Sequence, residues 1–419
     1  MFTFIHAADI HLDSPLRGLG RYEGAPAEAI RGATRRALEN LVHVALEEEV
    51  DFLLIAGDVY DGDWKDHNTG LFFAKQMGRL REANIPVFLI AGNHDAESVM
   101  TKGVRLPENV HVFPVRKPKT IRLDDLGVAL HGQGFATKAV TQDLTAAYPA
   151  AIPSCYNIGL LHTSLTGYEG HDTYAPCTVE GLQHLGYDYW ALGHIHQLQC
   201  VRAADPAIWY PGNIQGRHIR ETDKKGCLLV TVHDGGQHEV DFRALDVLRW
   251  AELAVDVSKC PDSTACLDLF QERLEAALAE CDDRLLAARV IFTGESPAHG
   301  ELAADTPQLV YDIQSIANVY GGDRVWIEKV RVRTRPERAV DTSAFDGGPL
   351  AELAGVVAAM KADPEALARA AAVLAPLRDK LPREWSAEAP LDDPDCVAAW
   401  LDEAESLVRA AWLAMDRGA

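Results

Sequence analysis

The sequence lacks the features that would assign it to a membrane, secreted or disulfide-rich class. No apolar run approaches the roughly 20 residues that a membrane-spanning helix needs, and no basic segment precedes the first apolar stretch, as a signal peptide would require. The eight cysteines form no Cys-x-x-Cys pair, so neither a thiolate zinc site nor a disulfide framework is indicated. We therefore expect a cytoplasmic protein with reduced cysteines.

Positive charge is also scarce. The chain has 40 Lys and Arg against 62 Asp and Glu, a formal net charge of −22. This balance argues against a protein that coats nucleic acid by bulk electrostatic attraction, so any contact with a polyanion must come from local basic patches or from bound cations. What is present is 419 residues with 47% hydrophobic content, enough for two or three globular domains.

The first part of the chain alternates apolar strand patterns with amphipathic helix patterns. Strands are predicted over residues 2–8, 51–56 and 87–91, with helices over 27–49 and 68–82 between them. This order predicts parallel strands joined by right-handed crossovers. From residue 109 the pattern changes to strands separated by short turns, which predicts a second sheet packed on the first. Its predicted strands are 120–123, 128–131, 157–161 and 189–192, with a hairpin over 227–233 and 239–244.

These patterns divide the chain into three predicted parts. Residues 1–245 form the first domain. Near residue 250 a new strand-helix-strand-helix-strand pattern begins, which predicts a small α+β domain over 250–336. A stretch with no apolar period follows, and residues 345–419 are Ala-rich and helical, with Asp-Pro helix starts at Asp363 and Asp393.

Metal-ligand residue types follow five of the apolar strands in the first domain. They are oxygen and nitrogen donors without a thiolate, as expected for Mn²⁺, Fe²⁺ or Zn²⁺. A single Asp-x-His or His-x-His is usually structural, and Gly-Asp-x-x-Asp is also typical of a turn. Five such ends together indicate one site, because sites in these sheets lie beyond the carboxyl ends of the strands. The residues are Asp9 and His11, Asp58, Asn93 and His94, His162, and His194 and His196.

Seven of these side chains suit two ions better than one, if one carboxylate is shared. Two dications held about 3.5–4 Å apart repel each other, and a bridging anion offsets that repulsion. Asp58 is the candidate bridge. Asp-x-His and His-x-His each place both side chains on one side of an extended segment, because a strand has a period of two.

The motifs together resemble a known family. Asp-Ile-His at 9–11, Gly-Asp-Val-Tyr-Asp at 57–61, Gly-Asn-His-Asp at 92–95, the single His162 and Gly-His-Ile-His at 193–196 resemble the calcineurin-like metallophosphoesterase superfamily. Longer phrases at 11–17, 57–64, 186–196 and 210–221 are similar to the SbcD-like DNA-repair nuclease branch, and most of all to the bacterial YhaO-type exonucleases. The resemblance is dense over residues 1–245 and looser over 250–336.

The resemblance implies an α/β fold, a four-layer α/β/β/α sandwich with a small α+β capping domain and a C-terminal helical region. It also implies a dinuclear centre that usually holds Mn²⁺. It assigns His94 as an imidazole that binds no metal and stabilises the phosphorane or protonates the leaving oxygen, with Asp95 orienting it. The implied ligands are Asp9, His11, Asp58 and His196 for one ion, and Asp58, Asn93, His162 and His194 for the other.

One position departs from the family pattern. Some relatives carry a histidine three residues after the bridging aspartate, and this chain has Asp61 there. We therefore expect no second catalytic imidazole at this position, and Asp61 is a candidate to orient a ligand instead.

A DNA substrate would need basic contacts near the metal ions. The clearest basic stretches are in the 210–221 phrase and on a predicted strand whose alternation puts its cations on one face, as in a capping domain that contacts phosphates. The alternative interpretation of that strand is an ordinary solvated face. The candidate contacts are Arg17, Arg217, Arg220, Lys329, Arg331 and Arg333.

The leading interpretation is a Mn²⁺-dependent DNA exonuclease for repair, with endonuclease activity left open, which hydrolyses phosphodiesters with a hydroxide activated by two metals. A phosphatase or cyclic-nucleotide phosphodiesterase is the alternative, because the same ions hydrolyse both ester types. A scaffold subunit of a coiled-coil ATPase complex is a third interpretation, disfavoured because no ligand position is missing.

The expected partners are DNA, a coiled-coil ATPase and a second copy of the chain. The last helical segment carries Val397, Trp400 and Trp412 at helical spacing. This apolar stripe is suited either to packing on its own domain or to binding the ATPase.

Overall fold

The computed structural model describes residues 1–14, 30, 32–61, 67–97, 104–165, 174–336 and 348–378, and also 380, 393, 394, 396–402, 404, 405 and 408. The chain divides into two compact units. The first is Met1–Ala251 with Cys281–Ala287, and the second is Glu252–Glu280 with Ala288–Ala419. Among the helices in these described ranges, none has the length and apolarity to cross a membrane.

The first sheet of the first unit has the strand order β12-β11-β1-β2-β3-β4. Its central strands β1, β2 and β3 are parallel, as predicted, and helices α1 and α2 connect them. Strand β4 is parallel to β3. The bounds are β1 Phe2–Ala7, α1 Ala33–Glu47, β2 Phe52–Ile55, α2 His67–Glu82, β3 Val87–Leu89 and β4 Val110–Val112.

The hairpin of β11 (Gly226–Val232) and β12 (His238–Ala244) belongs to this first sheet, where β11 pairs antiparallel with β1. The prediction that the hairpin extends the second sheet is therefore wrong. The physical reason is burial, because six of the seven residues of β11 are buried, and such a strand needs a covered interior position.

The second sheet has the order β5-β6-β7-β8-β10-β9. Strands β6, β7 and β8 are parallel, and all seven residues of β7 are buried. Strands β9 and β10 were not predicted from the sequence. The bounds are β5 Lys119–Leu123, β6 Val128–Gly132, β7 Tyr156–His162, β8 Tyr189–Gly193, β9 Gln199–Arg202 and β10 Ala207–Tyr210.

Three apolar layers hold the first unit together. Between the sheets, Phe4 and Phe52 of the first sheet pack with Ile158 of the second. The rings of Phe4 and Phe52 stack at a centroid distance of 5.0 Å. Leu41 of α1 belongs to the core on the outer face of the first sheet, and Leu182 of α4 (Val179–His184) belongs to that of the second. The result is the predicted α/β/β/α order of layers.

The second unit contains most of a third sheet, in the order β13-β14-β15. At the start of helix α7 (Thr306–Gly321), the Asp305 side chain caps the helix by accepting a hydrogen bond from Gln308 N at 3.0 Å. Helices α8 and α9 follow the sheet and contact each other. The bounds are β13 Leu248–Asp256, α5 Ser263–Glu280, β14 Leu285–Ser296, α6 His299–Ala304, α7 Thr306–Gly321, β15 Val325–Pro336, α8 Pro349–Ala362 and α9 Pro364–Arg378.

The carboxyl ends of the parallel strands in the two sheets of the first unit meet at one edge. The Nδ1 of His162, at the end of β7, lies 2.9 Å from the carbonyl oxygen of Ala56, just after β2. His194, just after β8, donates its backbone N–H to Asp9 Oδ2 at 2.9 Å. The sandwich therefore brings together side chains that are up to 187 residues apart in sequence, from Asp9 to His196.

Candidate metal centre

The loop after β1 turns two side chains toward the centre through a strained backbone. Asp9 and His11 have φ of +50° and +44°, in the left-handed region that residues other than glycine rarely adopt. Their N–H groups donate to the carbonyl oxygens of Gly57 and Asp58, each at 3.0 Å. The paired loops after β1 and β2 thus hold each other in a conformation that costs energy in an isolated chain.

Asp58 lies between two imidazoles. Its Oδ2 is 3.8 Å from His11 Nε2 and 3.4 Å from His162 Nε2, and the side chain is almost fully buried. Its other oxygen, Oδ1, accepts the backbone N–H of His94 at 2.9 Å. A carboxylate in this position, with a ring nitrogen on each side, is suited to bridge two cations.

The ring of His162 has a defined orientation and tautomer. Its Nδ1 faces the carbonyl oxygen of Ala56, which can only accept, so Nδ1 carries a proton. The Nε2 therefore faces inward, 2.9 Å from Asn93 Oδ1 as well as beside Asp58. The His194 ring lies next to it, with ring centroids 5.3 Å apart.

His196 and His11 form the other side of the centre. Their Nε2 atoms lie 3.2 Å apart, and His196 Nε2 lies 3.6 Å from Asp9 Oδ1. The Nδ1 of His196 faces away from this group and lies 2.8 Å from Glu221 Oε1. Two ring nitrogens and a carboxylate that converge in this way have the donor set and spacing of a divalent metal site.

The described residues fit more than one ion. In each of three groups of three residues, one ligand atom from each residue lies within 4.8 Å of the other two. All the donors are carboxylate or imidazole, with the Asn93 amide beside them. Five of the seven predicted ligands occur in these groups, and Asn93 and His194 lie beside His162. One group also contains His94, which was predicted to bind no metal. The groups are Asp9, His11 and His196; His11, Asp58 and His94; and Asp9, Asp58 and His162.

His94 lies at the start of the short helix α3 (Asn93–Glu97) and is one-third exposed. Its Nδ1 lies 2.9 Å from Asp61 Oδ1, and Asp61 also accepts a hydrogen bond from the Ser14 hydroxyl. Asp61 is therefore the carboxylate that orients His94.

The expectation that Asp95 orients His94 is wrong. The Asp95 carboxylate accepts backbone N–H groups of Val59, Tyr60 and Gly92 at 3.2, 2.9 and 3.0 Å. Successive side chains on a helical turn do not face each other, so a carboxylate directly after His94 points elsewhere. Asp95 instead holds the loop after β2 against the end of β3.

The buried charges give these histidines different proton affinities. Burial alone would lower the pKa of His162, but the Asp58 carboxylate raises that pKa to about 9. Burial likewise opposes the rise in the pKa of His196 to about 9, which the Asp9 and Glu221 carboxylates cause. For His11 and His194, burial is the largest effect and lowers the pKa of each to about 4. The metal-free centre therefore holds protons on His162 and His196 at neutral pH.

Glu221 is a residue of this centre that the motif analysis missed. It lies in the loop 211–225, is largely buried, and accepts from Asn213 Nδ2 at 3.0 Å and from the backbone N–H of Arg217 at 2.7 Å. The only sequence signal for it was its place at the end of the 210–221 phrase. Lys225, from the same loop, donates to the carbonyl oxygen of His196 at 2.7 Å.

The predicted DNA contacts lie in different environments. The guanidinium of Arg217 is bonded to Glu221 inside the first unit, whereas Arg220 is exposed. On β15 of the second unit, Lys329 and Arg333 are exposed and Arg331 is half-buried. Arg17 lies outside the described residues.

Two family profiles match the chain. Residues 2–198 match the family described as "Calcineurin-like phosphoesterase", and residues 250–335 match "Metallophosphoesterase YhaO, middle domain". A relative from Bacillus subtilis strain 168, described as "Uncharacterized metallophosphoesterase YhaO", is 40% identical over 298 residues. That match covers 70% of this chain and 72% of the relative.

Solved structures with similarity to the chain include two with low sequence identity. The structure of TT1561 from Thermus thermophilus is 14% identical, with a TM-score of 0.32 over 57% of this chain and 98% of that chain. A dimetal phosphatase from Danio rerio is 11% identical, with a TM-score of 0.37 over 58% of this chain and 96% of that chain.

Proposed function

Because the chain belongs to the calcineurin-like metallophosphoesterase family, we propose that it is a DNA nuclease that hydrolyses phosphodiester bonds, with Mn²⁺ as its metal. We propose an exonuclease that acts in DNA repair in the cytoplasm. The observation that supports a phosphoesterase centre most strongly is the position of Asp58, with imidazole nitrogens of His11 and His162 on either side of its Oδ2.

In this proposal the centre holds two ions. When bound, such ions polarise a phosphoryl oxygen and lower the pKa of water. Asp58 would be shared between them, and the Nδ1–H groups of His162 and His196 point outward, which leaves each Nε2 available as a ligand. One ion would be held by Asp9, His11, Asp58 and His196, and the other by Asp58, Asn93, His162 and His194.

His94 is the proposed acid for the leaving oxygen. Burial would lower the pKa of His94, but the Asp61 carboxylate raises it above the ordinary histidine value. The Asp61 carboxylate therefore favours the protonated form of the imidazole. Asp61 holds the Nδ1–H, so the Nε2–H is the group that can donate a proton to a leaving alkoxide.

The basic strand supports DNA as the substrate over a small phosphate ester. Lys329 and Arg333 are exposed on β15, and Arg331 between them is half-buried, so three cations follow one another at alternate positions. Spaced cations of this kind suit consecutive phosphates of a polynucleotide. A phosphatase or cyclic-nucleotide phosphodiesterase would need no such row.

A nuclease assay tests this proposal. The protein is incubated with end-labelled linear duplex and single-stranded DNA, and with p-nitrophenyl phosphate, each with Mn²⁺ or with EDTA. We expect strand shortening with Mn²⁺ and none with EDTA. Activity confined to the monoester would instead identify a phosphatase, and two bound ions without activity would favour the scaffold interpretation.

We also propose that the C-terminal helical region binds a coiled-coil ATPase. In that region Val397 is buried, Trp400 is half-buried, and Lys361 of α8 pairs with Asp402. Part of the apolar stripe thus packs within the chain, and Trp412 lies outside the described residues.

We further propose that the chain forms a homodimer. Light scattering of the purified protein tests this proposal, because a homodimer has twice the mass of the chain.

A further inference from the structure

The loop 211–225 fixes one histidine of the centre from behind. Glu221 Oε1 lies 2.8 Å from His196 Nδ1, and Glu221 Oε2 accepts from Asn213 Nδ2 and from the backbone N–H of Arg217. The carboxylate is only 5% exposed. A carboxylate held by so many donors has little freedom, so the His196 ring that bonds to it has little freedom either.

Arg217 extends this network with its side chain. Its Nη2 donates to Glu221 Oε1 at 2.8 Å and its Nε to Glu221 Oε2 at 3.3 Å, a two-pronged pair. The side chain is only 14% exposed. Two donors in one plane hold both oxygens of Glu221 at once, which the single ammonium of a lysine does less well.

The remaining edge of the guanidinium faces the other side of the centre. Arg217 Nη1 lies 3.9 Å from Asp61 Oδ2, and the other oxygen of Asp61 lies 2.9 Å from His94 Nδ1. One cation therefore lies between the two carboxylates that stand behind two different imidazoles. Without it, two largely buried carboxylates would lose their shared counter-charge.

We propose that Arg217 is a positioning residue of the centre, which holds Glu221 behind His196 with one edge of its guanidinium and Asp61 behind His94 with the other. The proposal rests on the proposed function only in that the centre hydrolyses phosphate esters. It does not require DNA as substrate. The sequence predicts Arg217 as a DNA contact, whereas this proposal assigns it to the support of the metal ligand His196 and the acid His94.

Metal binding measures the His196 side. Isothermal titration of Mn²⁺ into the metal-free protein compares wild type with Arg217→Gln, Arg217→Lys and the control Arg122→Gln. Arg122 of β5 pairs with Asp124 and is 55% exposed. We expect Arg217→Gln to weaken Mn²⁺ binding by about 10- to 100-fold, as is usual for groups that orient ligands, with Arg217→Lys intermediate and Arg122→Gln unchanged.

The dependence of kcat on the leaving group tests whether Arg217 acts through Asp61 on His94. At saturating Mn²⁺, kcat is compared for bis(p-nitrophenyl) phosphate and for diphenyl phosphate, whose poorer leaving group depends more on a proton donor. We expect Arg217→Gln to lose more kcat on diphenyl phosphate than on the nitrophenyl ester, with smaller changes in KM. A purely structural defect would reduce both rates by the same factor.

Either an unchanged Mn²⁺ affinity or an equal loss on the two esters overturns the proposal. If thermal melting shows that Arg217→Gln is unfolded, Arg217→Lys is judged by the same two criteria. Hydrolysis of both esters by a wild type that leaves DNA intact would overturn the proposed nuclease but not the role of Arg217. If wild type hydrolyses neither ester, the Mn²⁺ titration alone decides, and an affinity equal to wild type overturns the role.

Discussion

The protons on the ring nitrogens decide what each histidine of the centre can do. The Nδ1 atoms of His162 and His196 face the Ala56 carbonyl oxygen and the Glu221 carboxylate, so each Nε2 faces the interior. His94 has the same arrangement with Asp61 but stands at the rim, one-third exposed. The Nε2 atoms of His162 and His196 therefore face the carboxylates of Asp58 and Asp9, as suits metal ligands, and His94 at the rim is suited to proton transfer.

Replacing His94 by alanine tests whether His94 donates a proton and binds no metal. We expect kcat to fall by about 10²- to 10⁴-fold, the usual contribution of a general acid, while two ions still bind. Asp61→Asn keeps the shape but removes the charge that favours the protonated ring, so its loss is expected to be smaller. Steady-state kinetics with Mn²⁺ and titration of the metal measure the two effects, and a loss of bound metal in His94→Ala would contradict the assignment.

The pKa values predict how metal binding depends on pH. His162 and His196 have pKa values raised to about 9, so below pH 9 the metal-free protein carries protons that a metal must displace. Affinity for Mn²⁺ is therefore expected to rise from pH 6.5 to pH 8.5, with proton release on binding. His11 and His194, with pKa values of about 4, are neutral in that window and release nothing. Titrations in buffers of different ionisation enthalpy count the protons, and an affinity independent of pH would refute this.

Residue types and spacing were enough to predict which strand ends meet. They were not enough to predict which carboxylates hydrogen-bond to the histidines at those ends. The seven predicted ligand side chains converge because each follows a strand of a parallel segment. Glu221 comes from an irregular loop with no period, so no local pattern marks it. Whether Asp61 or Asp95 orients His94 also depends on the backbone geometry of α3, which the residue types at 92–95 do not specify.

At the level of elements, Gly92 lies where the loop after β3 closely approaches the loop after β2. A Cβ at Gly92 would lie 2.2 Å from Asp58 Oδ1 and 2.7 Å from Asp58 N. Side chains do not fit at such distances, so Gly92→Ala must displace the Asp58 carboxylate.

We therefore expect Gly92→Ala to lose most Mn²⁺ binding and most activity. The matched control is Gly78→Ala in α2, where a Cβ would meet nothing within 4 Å. In a helix that change is expected to stabilise the protein by about 0.5–1 kcal/mol. Metal titration and thermal melting compare the pair, and normal metal binding in Gly92→Ala would show that Asp58 tolerates movement.

The basic strand β15 carries a separate prediction. Replacing Lys329, Arg331 and Arg333 together by glutamine is expected to weaken DNA binding and to reduce the salt dependence of the affinity by about one unit of slope per cation removed. The control changes Arg116, Lys117 and Lys119, three exposed cations of the first unit, to glutamine. Fluorescence anisotropy at several salt concentrations measures both, and equal losses in the two triple variants would leave only a general charge effect.

Strand order was predictable where helices connect neighbouring strands and not where pairing is distant in sequence. The β-α-β pattern predicted the parallel strands β1, β2 and β3. The hairpin β11-β12 was assigned to the wrong sheet because its partner β1 lies more than 200 residues earlier. Strand β9 was missed because its residues are exposed or half-buried and show no apolar alternation.

At the scale of the whole molecule, the net charge of −22 opposes any polyanion at long range. Binding of DNA to such a chain would depend on bound cations at the centre and on local rows such as β15. Removal of divalent metal is therefore expected to weaken DNA binding as well as to stop hydrolysis. Anisotropy with a non-hydrolysable phosphorothioate oligonucleotide, with Mn²⁺ or with EDTA, measures the first effect, and equal affinity in both would show that the metal ions take no part in binding.

The most direct measurement is anomalous diffraction from crystals of the protein loaded with Mn²⁺. Two manganese peaks about 3.5–4 Å apart are expected, with the carboxylate of Asp58 between them and Nε2 of His162 and His196 on opposite sides. A single peak, or peaks that do not lie within ligand distance of Asp58, would contradict the assignment of this edge of the sandwich as a two-metal phosphoesterase centre.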